Sequence, residues 1–137
     1  MTKLKRFSVS LDSDLVLKFD KEIKKRNYPT RSKAIGDLIR EYLVKKEWME
    51  GKEVVGAIIL IYNHHKRELV NKLLNIEHHF HEIIISSQHV HLDENNCLEI
   101  VLAKGKPKDI ETLANKLKST KGVKYSSLSI ATTGKEI

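Results

Sequence analysis

The sequence predicts an α+β protein with two modules, because the hydrophobic pattern changes near residue 50. Residues 1–50 hold one stretch that alternates polar and apolar residues, followed by two helical patterns. Residues 51–137 instead show apolar strands and amphipathic helices in the order β-α-β-β-α-β. The short polar segment Glu50-Gly51-Lys52 is a plausible boundary, so we expect domains at residues 1–50 and 51–137.

The first module begins with a strand pattern from Lys3 to Leu11. Phe7, Val9 and Leu11 fall on one face of this strand, and the other face carries Arg6, Ser8 and Ser10. Asp12 or Ser13 can cap a first helix, and the run KKRNYPT ends it because Pro29 disfavours helical geometry at the residue before it. A second helix can start at residues 30–32. One strand and two helices cannot close a core, and an isolated strand needs another edge. We therefore expect two chains to pair their strands into an antiparallel ribbon above four helices.

The outer face of this ribbon has the residue types that read DNA. A two-stranded ribbon fits the major groove, where Arg can bind guanine bidentately and Ser can contact several bases. Arg6, Ser8 and Ser10 are therefore candidate base contacts, and the start of the second helix offers N–H groups to a phosphate. The alternative is a strand that only joins two subunits.

Charge and composition support an anionic partner for the first module. The net charge is +7, and residues 1–50 carry 13 Lys and Arg against 8 Asp and Glu, whereas residues 51–137 carry 12 against 10. Basic excess at one end favours nucleic acid, although a merely soluble basic surface is the alternative. One Cys, no apolar run near 18 residues and no signal-like start predict a cytoplasmic chain without membrane spans or disulfides.

The order of elements in the second module predicts a ferredoxin-like domain. A buried strand is expected at residues 54–62, a helix at 65–77, strands at 82–92 and from Cys97, a helix from Pro107, and a last strand at 123–131. Helices would cover one face of this sheet and leave the other free to pair with a second copy.

The hairpin between the second and third strands concentrates metal-binding side chains. Residues 78–97 contain five of the seven histidines and the only cysteine. His89 and His91 point the same way along a strand, and a turn at residues 93–96 can bring Cys97 beside them. Two imidazoles and a thiolate suit a late transition metal. The alternatives are solvated histidines and a small buried cysteine, and Glu99 is either a group that orients a ligand or an exposed strand residue.

A fourth ligand would have to come from another chain. On one straight strand His81 and His89 would lie roughly 26 Å apart, so neither His78 nor His79 should reach the His89 of its own chain. A two-fold axis near residues 83–85 would place His78 or His79 of one chain beside His89 of the other. This predicts two equivalent sites that bridge each pair of subunits.

Residues 4–44 resemble the ribbon-helix-helix DNA-binding family, whose alternating strand and T-R-S-x-A-I helix start both occur here. That head, the ferredoxin-like tail and the HVHLDENNCLEI segment together resemble the NikR family of nickel-responsive repressors. The resemblance implies a square-planar Ni(II) site made by His89, His91 and Cys97, with His78 of the partner subunit. It also implies a homotetramer, built as a dimer of dimers, that binds palindromic operator DNA.

The chain departs from the family at one position. The resemblance implies that the start of the second helix is often acidic, for an auxiliary cation between head and tail, but this chain has Lys33 there and retains only Asp37. Rival hypotheses are a regulator that senses copper, cobalt or a small molecule, and a metalloenzyme with Glu99 as its base. We expect no enzyme, because the sequence shows no substrate pocket.

Overall fold

The computed structural model describes residues 3–137, which form four helices and four strands. In chain order they are α1 (Ser13–Lys25), α2 (Arg31–Met49), β1 (Val54–Tyr62), α3 (Arg67–His79), β2 (Ile84–His91), β3 (Cys97–Gly105), α4 (Pro107–Lys118) and β4 (Tyr125–Ala131). The predicted α+β class and the βαββαβ order of the tail are confirmed. One compact unit ends at Glu41, and the second runs from Tyr42 to Ile137.

The first unit leaves its N-terminal segment open. Residues 3–11 form neither a helix nor a paired strand, and Phe7, Val9 and Leu11 are 70%, 62% and 58% exposed. The same segment lines an open apolar cavity of about 380 Å³ with side chains from α1 and α2. A strand acquires its ladder only from a neighbour, so the predicted ribbon stays a prediction that needs a second chain.

Helix α1 ends at Lys25, inside the run KKRNYPT where the sequence predicts its end. Asn27 adopts a left-handed conformation with φ 60°, and the Tyr28 N–H turns back to the Ile23 carbonyl at 3.0 Å. Asn tolerates this conformation better than most residues, which makes it a common helix terminator. Pro29 then only reinforces an end that has already formed.

The second unit is an antiparallel sheet with strand order β2-β3-β1-β4. Every second residue of β1 is buried, including Ile58, Leu60 and Tyr62. These residues pack with α3 and α4 residues such as Leu73 and Leu113 in one hydrophobic core. Burying a side chain of this size stabilises a fold by about 1.5–3 kcal/mol, which explains the regular alternation of the strand.

The other face of the sheet is apolar and only half buried. It includes Val55, Ala57, Ile59 and Ile61 of β1, alternating with the core residues. Their β3 neighbours Leu98, Ile100 and Leu102 continue the surface.

Strand β2 starts later than predicted and contains a β-bulge. Residues 81–83 form a turn directly after α3, so the strand begins at Ile84 rather than at residue 82. Ile84 pairs with Ala103, and Ser86 already pairs with Leu102, which leaves Ile85 as one extra residue. His81 therefore lies in a turn, and the straight-strand distance to His89 does not apply to it.

The last two turns of α2 belong to the second unit. The Trp48 indole N–H donates to the Ala131 carbonyl at 2.9 Å, and the Thr132 hydroxyl donates to the buried Glu47 at 2.9 Å. These bonds attach α2 to the end of β4. Among the described residues, no helix is both long and apolar enough to cross a membrane.

Candidate metal centre and DNA-contact segment

The β2–β3 hairpin places the predicted metal ligands on neighbouring strands. His91 pairs directly with Cys97, and His89 pairs with Glu99. Directly opposed residues of an antiparallel pair project to the same side of the sheet. The two histidines therefore share the side of Cys97 and Glu99, as the H-x-H pattern predicts.

The turn that joins these strands is held by Asp93. One of its carboxylate oxygens accepts the backbone N–H groups of Asn95 and Asn96, each at 2.8 Å. The Asn96 side chain also donates to this carboxylate and keeps the pKa of Asp93 below its usual range. The Leu92 N–H closes the hairpin on the Asn96 carbonyl at 2.9 Å. This local bonding fixes the register that sets His91 opposite Cys97.

Cys97 is fully buried as a free thiol. Burial raises its pKa, and the nearby Glu99 carboxyl raises it further. A metal takes the thiolate form, so binding at this position would release a proton.

Glu99 lies at the centre of a buried polar cluster. Its Oε1 accepts a hydrogen bond from the Tyr62 hydroxyl at 2.8 Å and lies 3.4 Å from His89 Nε2. Glu99 is 0% exposed, so the alternative of an exposed strand glutamate is wrong. A carboxyl group that contacts a ligating imidazole can fix its orientation, which is the positioning role that the sequence suggested.

A second carboxyl group completes this cluster. Burial raises the pKa of Glu77 to about 8, and a hydrogen bond with Glu99 adds to the shift. The Oε2 atoms of both residues are buried, and neither has a further hydrogen-bond partner between residues 3 and 137. Two carboxyl groups in contact are stable only when a proton lies between them. Burial likewise raises the pKa of Tyr62 above its usual value, so this residue remains a hydrogen-bond donor.

The upstream histidines lie at the exposed end of α3. His78 and His79 close the helix, and His81 follows in the turn. The His79 ring bonds the Asn75 carbonyl at 2.7 Å, and the His81 ring bonds the His78 carbonyl at 2.9 Å. The rings of His79 and His81 each keep one nitrogen for another partner. The geometry of one chain does not show which of the three histidines would bind a metal.

Another histidine, His64, lies against the hairpin, although the sequence favours a surface histidine over an extra metal ligand at this position. The His64 ring stacks on His91 with centroids 4.2 Å apart and planes 5° apart. Its Nδ1 is buried without a partner, and burial lowers the pKa of His64. Its position just beyond β1, the strand beside β3, is the signal that would have indicated this contact.

The described residues of one chain do not complete a metal site. No group of three or more His, Cys, Asp or Glu side chains between residues 3 and 137 is arranged to hold an ion. His91 and Cys97 are opposed, but His89 contacts Glu99, and the upstream histidines lie at the end of α3.

The candidate DNA contacts lie in the open N-terminal segment. Arg6, Ser8 and Ser10 are all exposed. At the start of α2, the Thr30 hydroxyl accepts the Lys33 backbone N–H at 3.1 Å, which caps the helix.

Comparison with known proteins covers both units. Residues 5–46 match the ribbon-helix-helix protein, copG family, and residues 55–131 match the NikR C terminal nickel binding domain. The chain is 56% identical over 134 residues to a protein of Syntrophus aciditrophicus, covering 98% of each chain. It is 55% identical over 131 residues to one of Chlorobium phaeobacteroides, covering 96% of this chain and 98% of the relative. Both relatives carry the name nickel-responsive regulator.

A solved structure supports the fold alone. An uncharacterized protein from Thermotoga maritima superimposes with a TM-score of 0.53 at 16% identity, over 58% of this chain and 98% of its own. The two matched segments define a transcription regulator with a DNA-binding head and a nickel-binding tail, and not an enzyme. The chain belongs to the NikR family.

Proposed function

We propose that this protein is a nickel-responsive transcriptional repressor that binds operator DNA when Ni(II) is bound in its tail. Residues 1–50 would serve as the DNA-binding head and residues 51–137 as the metal-binding and assembly domain. The observation that carries the proposal is the direct pairing of His91 with Cys97, in a chain whose head matches a DNA-binding family.

The ligands in this proposal are His89, His91 and Cys97 of one chain and His78 of the partner subunit. Imidazole and thiolate donors suit late transition metals, so the residues fit the ion. The incomplete cluster of a single chain supports a site that is shared between chains. The exposed position of His78 at the end of α3 leaves it accessible to a partner.

Two apolar surfaces support assembly into a homotetramer, as a dimer of dimers. Phe7, Val9 and Leu11 are mostly exposed in one chain and would be covered by pairing of two heads. The half-buried outer face of the sheet offers a second surface to another tail. A free cysteine and a DNA target favour the reducing cytoplasm as the location.

The ribbon formed by two paired heads would carry Arg6, Ser8 and Ser10 towards the major groove of a palindromic operator. Bound nickel supplies a preference for the arrangement of chains that holds its ligands together. The ion can change the affinity of the protein for DNA only if it binds one arrangement of the chains more tightly than another.

The first test is absorption titration of reduced, metal-free protein with Ni(II). Saturation at one ion per chain is expected, with loss of the thiolate–nickel band in Cys97→Ser and in His78→Ala. His79→Ala is the matched control, because it removes the adjacent imidazole from the same helix end. An unchanged titration of His78→Ala would exclude this residue as a ligand, and tighter Cu(II) binding with Cu(II)-dependent repression would favour the copper regulator.

Mixed assemblies test whether the site is shared between chains. A dimer of His78→Ala with Cys97→Ser contains one intact site only when Cys97 and His78 act from different chains. When equal amounts of the two variants are co-refolded, about half of the pairs are mixed and each mixed pair has one intact site of two, so about a quarter of the nickel band should return. No recovery would show that both ligands act within one chain.

The DNA contacts are tested by binding of the nickel-loaded protein to operator and to unrelated DNA. Arg6→Ala should cost about 1–3 kcal/mol on operator and relax its specificity, as expected for a residue that reads a base. An equal loss on both DNAs would assign Arg6 to the phosphate backbone.

A further inference from the structure

The carboxyl group of Asp37 is surrounded by donors from its own unit. Lys33 Nζ lies 2.7 Å from Oδ1, and the Tyr28 hydroxyl donates to Oδ2 at 2.9 Å. Arg40 Nη1 lies 3.4 Å from Oδ1. Lys33 and Arg40 stand four residues before and three after Asp37, so the helical spacing of α2 places all three on one face.

These bonds determine the protonation of the cluster. The bond from Lys33, followed by that from Tyr28, holds the pKa of Asp37 below its usual range. The hydrogen bond between Tyr28 and Asp37 raises the pKa of Tyr28. Asp37 is therefore an ionised carboxylate at neutral pH, and Tyr28 is a protonated donor. A carboxylate offers about four lone-pair sites, and both oxygens of this one are engaged by protein donors.

The cluster does not fit the auxiliary cation that the family resemblance implies. Hard cations require several oxygen ligands and favour clustered carboxylates. Where the resemblance implies an acidic residue, this chain has Lys33, whose ammonium occupies one Asp37 oxygen and would repel a second cation. Lys is a compact point charge with three donors, so it can neutralise a carboxylate as a bound monovalent ion does.

We propose that the Lys33 ammonium takes the place of the auxiliary cation at Asp37, so that the protein needs no added metal cation at this position. The part of the inference that concerns DNA affinity rests on the proposed function. The part that concerns cation binding does not.

The first test needs no DNA. Thermal melting of the metal-free full chain is compared in potassium, calcium and choline chloride at equal ionic strength, so that general screening is the same. Wild type should melt at one temperature in all three salts, whereas Lys33→Glu should gain stability specifically with potassium or calcium. Lys45→Glu makes the same charge change at an exposed position of α2 and should gain none.

Two results would overturn the inference. A potassium- or calcium-specific stabilisation of wild type would show that a cation binds despite Lys33. The absence of any cation effect in Lys33→Glu would show that Lys33 replaces nothing.

The second test measures operator affinity of the nickel-loaded protein in potassium and in choline chloride. Wild-type affinity should change by less than about twofold, and that of Lys33→Glu should fall about tenfold without potassium, within the usual range of coupling between sites. A tenfold fall in wild type would refute the inference. An affinity that does not depend on nickel would instead refute the proposed function, and the melting result would still decide the cation question.

Discussion

Replacement of Tyr62 by Phe should lower the free energy of unfolding, because it removes a hydrogen bond to the buried Glu99 carboxyl group. The change removes one hydroxyl and keeps the aromatic ring, so it leaves the core packing in place. Tyr62 is 2% exposed and Glu99 is 0% exposed, so water cannot replace the lost 2.8 Å hydrogen bond. Glu99 would keep only the longer contact of its Oε1 with His89 and its contact with the Glu77 carboxyl group. Leaving a buried acceptor unsatisfied costs about 1–3 kcal/mol, so we expect a loss near 2 kcal/mol.

Urea denaturation of metal-free protein at one fixed chain concentration measures this loss, because assembly makes stability depend on concentration. Tyr125→Phe is the matched control, since Tyr125 is 58% exposed and water can solvate its surroundings. That control should change stability by less than about 0.5 kcal/mol. Equal losses in the two variants would refute the argument that the buried Glu99 needs the Tyr62 donor.

Three further variants test other contacts. Gly122→Ala should destabilise the fold by about 1–3 kcal/mol more than Gly134→Ala in thermal melts. Both glycines have positive φ (104° and 81°), but only the Gly122 Cβ would meet Leu69, at 2.9 Å, so equal losses would contradict the clash. Thr132→Val leaves the buried Glu47 without its donor and should lower the free energy of unfolding by about 1–3 kcal/mol. Unfolding is measured by the fluorescence of Trp48, and the exposed Thr112→Val is the control. Arg31 lowers the pKa of Asp20, so this stabilisation is present above the usual carboxyl pKa near 4 and is lost as pH falls through the folded value. Asp20→Asn should therefore flatten the acid side of the profile of urea midpoint against pH, and an unchanged profile would contradict this.

The hairpin was predictable because its determinants are local. His89 and His91 alternate along one strand, and Asp93 provides a turn whose side chain bonds its own neighbours. The apolar strands of the tail were equally predictable, since β1 carries a continuous run of apolar residues. These features depend on residues that are close in sequence, where periodicity and turn chemistry carry the information.

The buried polar cluster was not predictable in the same way. Tyr62 and Glu99 are 37 residues apart, and Glu77 comes from a helix between them. Their contact depends on the pairing of β1 with β3 and on packing of α3, which no local pattern encodes. The same reason limits prediction of the head, because Phe7 and Val9 alternate as in a strand, but residues 3–137 of one chain offer no second strand for them to pair with.

The bulge at Ile85 determines which residue faces Cys97. If Ile85 paired with Leu102 as an ordinary strand residue instead of bulging, every later residue of β2 would shift by one, and Val90 would oppose Cys97 in place of His91. Both strand histidines would then project from the other side of the sheet, away from the thiol. Straightening the bulge, which alters no ligand and no charge, would therefore be as damaging to the metal centre as removal of both imidazoles. The bulge is as much a part of the site as its donor atoms.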